Sequence, residues 1–396
     1  MDPLDPPVDP EIQPGPPEAQ PANTIESISQ PGPVSVDKDP WETRILLRAF
    51  MGSQGLRAGW SVLAFVLLFG IFAGCVGFVF FHFHLVSNKK GDFAPSDAFF
   101  SELISFMAMV GAGAIVALIE RRRGNVLAYN LNGPRGGFHF LTGAVSGFAA
   151  LSALIGVLSL GGWLHFGNVA LSGMDIFKFG ALWAGAFLLV GFVEEGLFRC
   201  YLQATLTRGI NFWWALGVIA LICGELLWRG KGNGIWGVYL IAALGLIPCA
   251  LLHLKHANSS GFWQAAWVTS TLFGFIHTGN NGENWIGIFA AAFIGFAFCV
   301  SVWATGSAWW AIGCHAAWDW GETYFYGAAD SGNVATGHYL TTTPAGSALW
   351  SGGTDGPEGS VLVIGIVLLL IAAILLFYRR GKSDALAVGI SEVAAG

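Results

Sequence analysis

Two adjacent glutamates, Glu194 and Glu195, lie inside an apolar stretch that reads as a membrane-spanning helix at about 178–206. An ionised side chain at bilayer depth costs at least about 2–3 kcal/mol, so neighbouring carboxylates there indicate a function. Glu195 and Arg199 are four residues apart and share one helix face, where they can form an ion pair. Glu194 points about 100 degrees away, which leaves it as the freer carboxylate. Such a group is suited to take a proton from water.

Two further polar groups lie on apolar stretches. His277 ends the stretch at about 262–277, and His315 and Asp319 lie four residues apart at about 306–323. This spacing presents an imidazole and a carboxylate on one helix face, where they can orient a tautomer, bind a metal ion or stabilise an oxyanion. Purely structural interpretations are a helix-packing ion pair for the glutamates, an interfacial helix end for His277, and a hydrogen-bonded link between helices for the third group.

The elements that must position these groups follow from composition. Of the 396 residues, 54% are hydrophobic and 11% are charged, against about 25% charged in soluble proteins. We therefore predict an all-α fold, a polytopic membrane helical bundle of about ten transmembrane helices. Glu194 and His315 fall near the middle of their spans, so one buried cavity can hold all three groups. The predicted spans are about 58–84, 99–119, 138–163, 178–206, 211–228, 234–254, 262–277, 285–304, 306–323 and 360–378.

The distribution of charge predicts the orientation. Most Lys and Arg residues fall on one side of the membrane when the N-terminus is placed in the cytoplasm, as the positive-inside rule requires. We predict a multi-pass protein of the cell membrane with both termini cytoplasmic. The predicted organisation is an acidic, proline-rich, disordered tail (1–40), N-terminal transmembrane helices (41–177), the region with the polar groups (178–323), an extracytoplasmic Gly-, Ser- and Thr-rich loop (324–359), a last transmembrane helix (360–378) and a cytoplasmic tail (379–396).

Taken in order, the polar groups resemble the three-motif signature of the CPBP intramembrane proteases. This family comprises the CAAX prenyl endopeptidases and the bacteriocin-processing and immunity proteins. The likeness covers about residues 178–323 and implies an eight-helix-type protease core with an all-helical membrane architecture. The motifs that carry it are Glu194-Glu195-x-x-x-Arg199, Phe273-x-x-x-His277 and His315-x-x-x-Asp319.

The resemblance also implies a role for each motif residue. Glu194 would activate a water molecule, with Glu195 and Arg199 in support. His277 would assist in activating the water. His315 with Asp319 would stabilise the oxyanion or bind a metal ion.

Two features depart from the pattern of the family. The second motif usually follows soon after the first, whereas an inserted helical pair at about 211–254 separates Glu194 from His277 here. An even number of inserted crossings keeps the orientation of the later helices, so the motifs can still meet. The third motif ends in Asp319, where the family often has Asn. An ionised Asp319 would oppose an oxyanion and would favour a metal ion or another cation on His315.

The sequence is compatible with both a metal-dependent and a metal-free mechanism. The zinc motif H-E-x-x-H is absent. His277, His315 and Glu194 would nevertheless form an acceptable catalytic site for a divalent metal such as zinc, because two histidines and a carboxylate are a known ligand set. A metal-free glutamate mechanism fits the same residues.

We predict an intramembrane endopeptidase that hydrolyses a peptide bond of a membrane-associated peptide or protein, with prenylation of the substrate left open. Its partners are this substrate and the lipid bilayer, and no nucleic acid is expected. One alternative is a catalytically inactive membrane protein of the same family that acts in immunity or as a scaffold. The other is a proton-coupled transporter with Glu194 and Glu195 as proton carriers. Transporters often contain an inverted repeat, and none is recognisable in this sequence.

Overall fold

The computed structural model describes residues 41–52, 55–86, 94–120, 124–133, 135–230, 235–255, 260–280 and 282–378. The predicted tails, 1–40 and 379–396, lie outside these ranges. The chain divides into two units, Met1–Ala49 and Phe50–Gly396, and the elements that matter below belong to the second. The described residues are mostly helical with very little sheet, which confirms the predicted all-α membrane bundle.

A helix occupies each of the ten predicted spans. The helices are α1 Trp41–Phe50, α2 Ala58–His82, α3 Pro95–Ile119, α4 Gly136–Leu160, α5 Met174–Glu195, α6 Gln203–Thr207, α7 Phe212–Gly230, α8 Ile235–Leu254, α9 Ser260–His277, α10 Trp285–Thr305, α11 Trp309–Asp319, α12 Ala348–Ser351 and α13 Leu362–Phe377. Six segments of the described chain are long and apolar enough to cross a membrane: Ala58–His82, Pro95–Ile119, Gly136–Leu160, Met174–Thr207, Phe212–Arg229 and Trp285–Thr305.

Two short antiparallel sheets connect the helices. In the first, β1 Met51–Gly52 pairs with β2 Gly55–Leu56. In the second, β3 Leu164–Val169 pairs with β4 Leu340–Pro344. The second sheet joins the chain after α4 to the predicted loop at 324–359. That loop therefore contains regular structure, because it holds β4, α12 and a short 3-10 turn.

Two helices change to a π-helical turn directly after predicted site residues. The chain is π-helical over Gly196–Leu202, after α5 ends at Glu195, and over Trp320–Tyr326, after α11 ends at Asp319. The sequence predicts regular helices here, because hydropathy does not distinguish i→i+5 from i→i+4 hydrogen bonding. Single π turns inside α-helices are frequent at functional sites.

The contact between α4 and α11 sets the position of the third motif. Gly143 and Gly147 of α4 lie directly against the backbone carbonyls of Trp310 and Cys314, and a methyl group added at either glycine would overlap those carbonyl oxygens. Small residues let helix backbones approach closely in a membrane bundle. This close approach holds His315, the residue after Cys314, in the interior of the bundle.

Candidate active site

Side chains from all three motifs line one cavity. The cavity has a volume of about 190 Å³ and is lined by Glu194 of α5, His277 of α9, and His315 and Asp319 of α11. The helices that carry these residues are distant in sequence but adjacent in the bundle. The structure therefore brings the three predicted groups to a common space, with Glu195 and Arg199 buried behind it.

His315 connects the two glutamates. Its Nδ1 atom lies 2.8 Å from Oε1 of Glu195, and its Nε2 atom lies 3.8 Å from Oε2 of Glu194. The Nε2 atom is also 3.5 Å from Oδ2 of Asp319. An ionised carboxylate can only accept a hydrogen bond, so the Nδ1–H group of His315 donates to Glu195. The orientation and tautomer of the imidazole are thus set from behind the cavity.

Arg199 holds Glu195 in place. The predicted ion pair is present, with Nη1 of Arg199 3.2 Å from Oε1 of Glu195, and both side chains are wholly buried. The guanidinium also lies 4.3 Å from the ring centre of Phe273 and 5.3 Å from that of Phe298. These cation–π contacts partly compensate for the loss of water around the charge. Gly295 makes room for the guanidinium, because a methyl group there would overlap it.

Glu194 is the less compensated of the two glutamates. Its side chain is 30% exposed, whereas that of Glu195 is fully buried. Within the described part of the chain, its Oε2 atom has no hydrogen-bond donor. A carboxylate oxygen without a donor, 3.8 Å from an imidazole nitrogen, can share a water molecule with that nitrogen. This geometry suits general-base chemistry at Glu194.

His277 reaches the same cavity from the end of α9. Its Nδ1 atom lies 2.8 Å from the carbonyl oxygen of Phe273. The rings of His277 and His315 lie 4.7 Å and 6.1 Å from the ring of Phe273, so the two imidazoles flank one phenyl group. With Nδ1 donating to the carbonyl oxygen, Nε2 of His277 is the nitrogen left to contact a ligand.

The metal-binding interpretation of His277, His315 and Glu194 does not fit this arrangement. No group of three or more His, Cys, Asp or Glu side chains in the described ranges has the geometry to hold a metal ion. The Nδ1–H group of His315 donates to Glu195, and its Nε2 atom faces the carboxylates of Asp319 and Glu194. We therefore derive no catalytic step through a metal ion.

Five polar residues of the cavity are not among the sequence predictions. They are Asn280, Asp330, Ser331, Asn333 and Glu358. All five lie in loops, where hydropathy and helical spacing carry no signal. For the four that lie within 324–359, the length of the predicted loop was the only sign in the sequence, because structureless loops of that length are usually functional.

Part of the chain matches the model of a known protein family. Residues 249–321 match the family model of the Rce1-like type II CAAX prenyl endopeptidases. This segment contains the second and third motifs, with His277, His315 and Asp319. The first motif lies before it, separated by α7 and by most of α8. No curated protein and no solved structure matches the chain.

Proposed function

We propose that the chain is an intramembrane endopeptidase of the CPBP family of CAAX-type membrane proteases, a family assignment that the match over residues 249–321 supports. It hydrolyses one peptide bond of a membrane-associated substrate with a water molecule activated by Glu194. The arrangement around His315, whose two nitrogens face Glu195 and Glu194, carries the proposal. This arrangement supports one catalytic centre that contains both the first and the third motif. The first motif lies outside the residues that match the family model.

In the proposed reaction, water binds between Oε2 of Glu194 and Nε2 of His315. Glu194 takes a proton from this water as its oxygen forms a bond to the scissile carbonyl carbon. The tetrahedral intermediate then collapses, the C–N bond breaks, and the carboxylic acid of Glu194 returns the proton to the leaving amine. Glu194 thus acts first as a general base and then as a general acid, and no atom of the protein is consumed.

The other motif residues stabilise charge in this reaction. Asp319 lies 3.5 Å from Nε2 of His315 and favours the imidazolium form of that ring. An ionised Asp319 was expected to favour a metal ion or another cation on His315, and the imidazolium is such a cation. Its Nε2–H group is available to the oxyanion of the intermediate. Glu195 and Arg199 act as positioning residues, and His277, which lines the same cavity, assists in activating the water.

The walls of the cavity support a lipid-like or apolar substrate. Besides the motif residues, the lining includes Phe187, Val190, Ile294 and Phe298. Apolar walls of this kind bind apolar groups and leave orientation to a few polar side chains. A prenylated peptide with a CAAX-like end is therefore the substrate class that we propose.

The test is cleavage by the purified chain in liposomes. A farnesylated CAAX peptide and its unprenylated counterpart are incubated with wild-type proteoliposomes and with empty liposomes, and the products are identified by mass spectrometry. We expect cleavage at a single bond, with the prenylated peptide cleaved faster. Intact peptides together with proton-coupled uptake would instead indicate a transporter. Intact peptides without uptake would indicate an inactive scaffold.

A further inference from the structure

The loop between α11 and α13 supplies a second polar wall to the cavity. Asp330 and Glu358, which belong to none of the three motifs, line the same space as Glu194. Both residues follow the third motif in sequence and lie outside the residues that match the family model. The family match therefore does not extend to the chemistry of this wall.

Asp330 has a fixed position in this wall. Its Oδ2 atom accepts a hydrogen bond of 2.8 Å from Oγ1 of Thr323, a residue of the π-helical turn that continues the helix of His315. Its backbone pairs in both directions with Asn333, which also lines the cavity. The carboxylate is thus tied to the helix that carries the third motif.

Glu358 is placed by close backbone packing. It lies in the 3-10 turn Pro357–Gly359. The preceding Gly356 packs so tightly on the carbonyl oxygen of Ala329 that a methyl group there would overlap it. Ala329 directly precedes Asp330, so the two carboxylates come from chain segments that touch each other. The wall they form is a built feature of the fold.

Acidic side chains in the lining of this cavity outnumber the basic ones. The acidic lining residues are Glu194, Asp319, Asp330 and Glu358, and the basic ones are His277 and His315, with no Lys or Arg in the described lining. His315 is already shared by the motif carboxylates. A cation bound in the cavity would balance the negative charge of the ionised carboxylates.

Glu322, a neighbour of the lining residue Trp318, also lacks a hydrogen-bond donor for one of its carboxylate oxygens in the part of the chain that the structure describes. Glu322 is wholly buried, and its Oε2 atom accepts from the indole nitrogen of Trp318, a lining residue. Its Oε1 atom has no hydrogen-bond partner in the described structure. Burial raises the pKa of Glu358 well above its usual range, and the nearby carboxyls of Asp330 and Asp319 raise it further. Among the described residues, neither Glu322 nor Glu358 forms an ion pair.

We propose that Asp330 and Glu358 are specificity residues that bind a basic side chain, Lys or Arg, of the substrate close to the scissile bond. The inference rests on the proposed function and narrows its substrate class. The apolar wall receives the adjacent apolar or lipid-modified group, and the acidic wall receives the cation. A charge-assisted hydrogen bond in a site shielded from water is strong and discriminates against a neutral group of equal length.

The test uses two peptides that differ at one position, which holds Lys in one and the neutral norleucine in the other. We expect wild-type protein to cleave the Lys peptide with a kcat/KM about tenfold higher or more, as for other buried charge partners. Asp330→Asn and Glu358→Gln should each bring this ratio towards one, mainly through KM. Each variant should lose more kcat/KM on the Lys peptide than on the norleucine peptide. Glu225→Gln, an exposed carboxylate on α7, is the matched control and should keep the wild-type ratio.

The outcomes separate this inference from the proposed function. A wild-type ratio near one, or a ratio that neither substitution lowers, would overturn the inference while leaving the protease assignment intact. Failure to cleave both peptides would contradict the protease assignment. In that case, the affinities of the reconstituted protein for the two peptides are compared. Equal affinities would overturn the proposed role of Asp330 and Glu358. If Asp330→Asn fails to fold through loss of the Thr323 bond, Glu358→Gln carries the same test.

Discussion

Glu195 lies between Arg199 and His315, and one oxygen of its carboxylate contacts both of them. This arrangement makes a residue that lies outside the cavity essential to the geometry inside it. The ion pair with Arg199 is buried on both sides. Removal of one partner of a buried pair leaves an uncompensated charge, which costs more than the pair itself contributes.

Glu195→Gln is therefore predicted to destabilise the folded protein by about 3–5 kcal/mol, because Arg199 keeps its charge without a counter-ion. The pair Glu225–Arg229 has the same i,i+4 spacing, but its side chains are 41% and 58% exposed. Glu225→Gln should shift stability by only about 0–1 kcal/mol. Thermal unfolding of both variants in detergent measures the difference. Equal shifts would show that Glu195 does not neutralise Arg199.

The types and spacing of residues predicted six motif positions, and four of them, Glu194, His277, His315 and Asp319, line the cavity. Polar groups at membrane depth are rare enough to stand out against an apolar background. Asp330 and Glu358 could not be found in that way, since polar residues in a loop are ordinary. Their place beside Glu194 depends on how the loop folds back over α10 and α11, which local sequence does not encode.

Among the elements, α4 and α11 matter most for the site, because their close packing positions His315. Hydropathy predicted the existence of both helices. It did not predict the π-helical turns after Glu195 and Asp319, since the choice between α and π hydrogen bonding depends on packing against neighbouring helices.

Gly147→Ala is predicted to push α11 away from α4, because the added methyl group would overlap the carbonyl oxygen of Cys314. Overpacking of this kind typically costs about 1–3 kcal/mol. It should also lower peptide cleavage by moving His315 away from Glu195. Gly156→Ala is the control on the same helix, where nothing lies within 4 Å of the added group. That change should be neutral or stabilising by up to about 1 kcal/mol.

Thermal unfolding and peptide cleavage are measured for both glycine variants. Similar behaviour of Gly147→Ala and Gly156→Ala would mean that close contact between α4 and α11 is not what positions the third motif.

For the whole molecule, the inserted pair α7 and α8 lies beside the site without entering it. Both helices pack against α9, the helix that ends at His277. No described residue of either helix lines the cavity. The even number of inserted helices was predicted to leave the motifs free to meet, and the structure brings them to one cavity. The cytoplasmic placement of both termini remains a prediction.

The loops that border the site are predicted to make stability depend on pH. A methyl group added at Gly287, at the start of α10, would overlap carboxylate oxygens of both Glu283 and Asp355. Burial, and after it the charge of Asp355, raises the pKa of Glu283 to about 8. Burial raises the pKa of Asp355 to about 7. The folded protein therefore holds protons that the unfolded chain releases near pH 4.

The protons held by Glu283 and Asp355 stabilise the folded protein. This contribution to the free energy of unfolding is fully present below about pH 4 and is lost as the pH rises through about 7 to 8. The melting temperature in detergent should fall between pH 5 and pH 9. Glu283→Gln combined with Asp355→Asn should flatten this dependence, whereas Glu225→Gln should retain it. An unchanged slope of melting temperature against pH in the double variant would show that Glu283 and Asp355 do not cause the pH dependence.

In the proposed mechanism, Glu194 activates the water that cleaves the substrate. Glu194→Gln preserves the size and polarity of the side chain and removes its ability to take a proton. The decisive measurement is the rate of peptide cleavage by this variant in liposomes, with the melting temperature as a check on folding and Glu225→Gln as the control. We expect a loss of about 10²- to 10⁴-fold in rate with an unchanged melting temperature. Cleavage of the same bond by Glu194→Gln at the wild-type rate would contradict it.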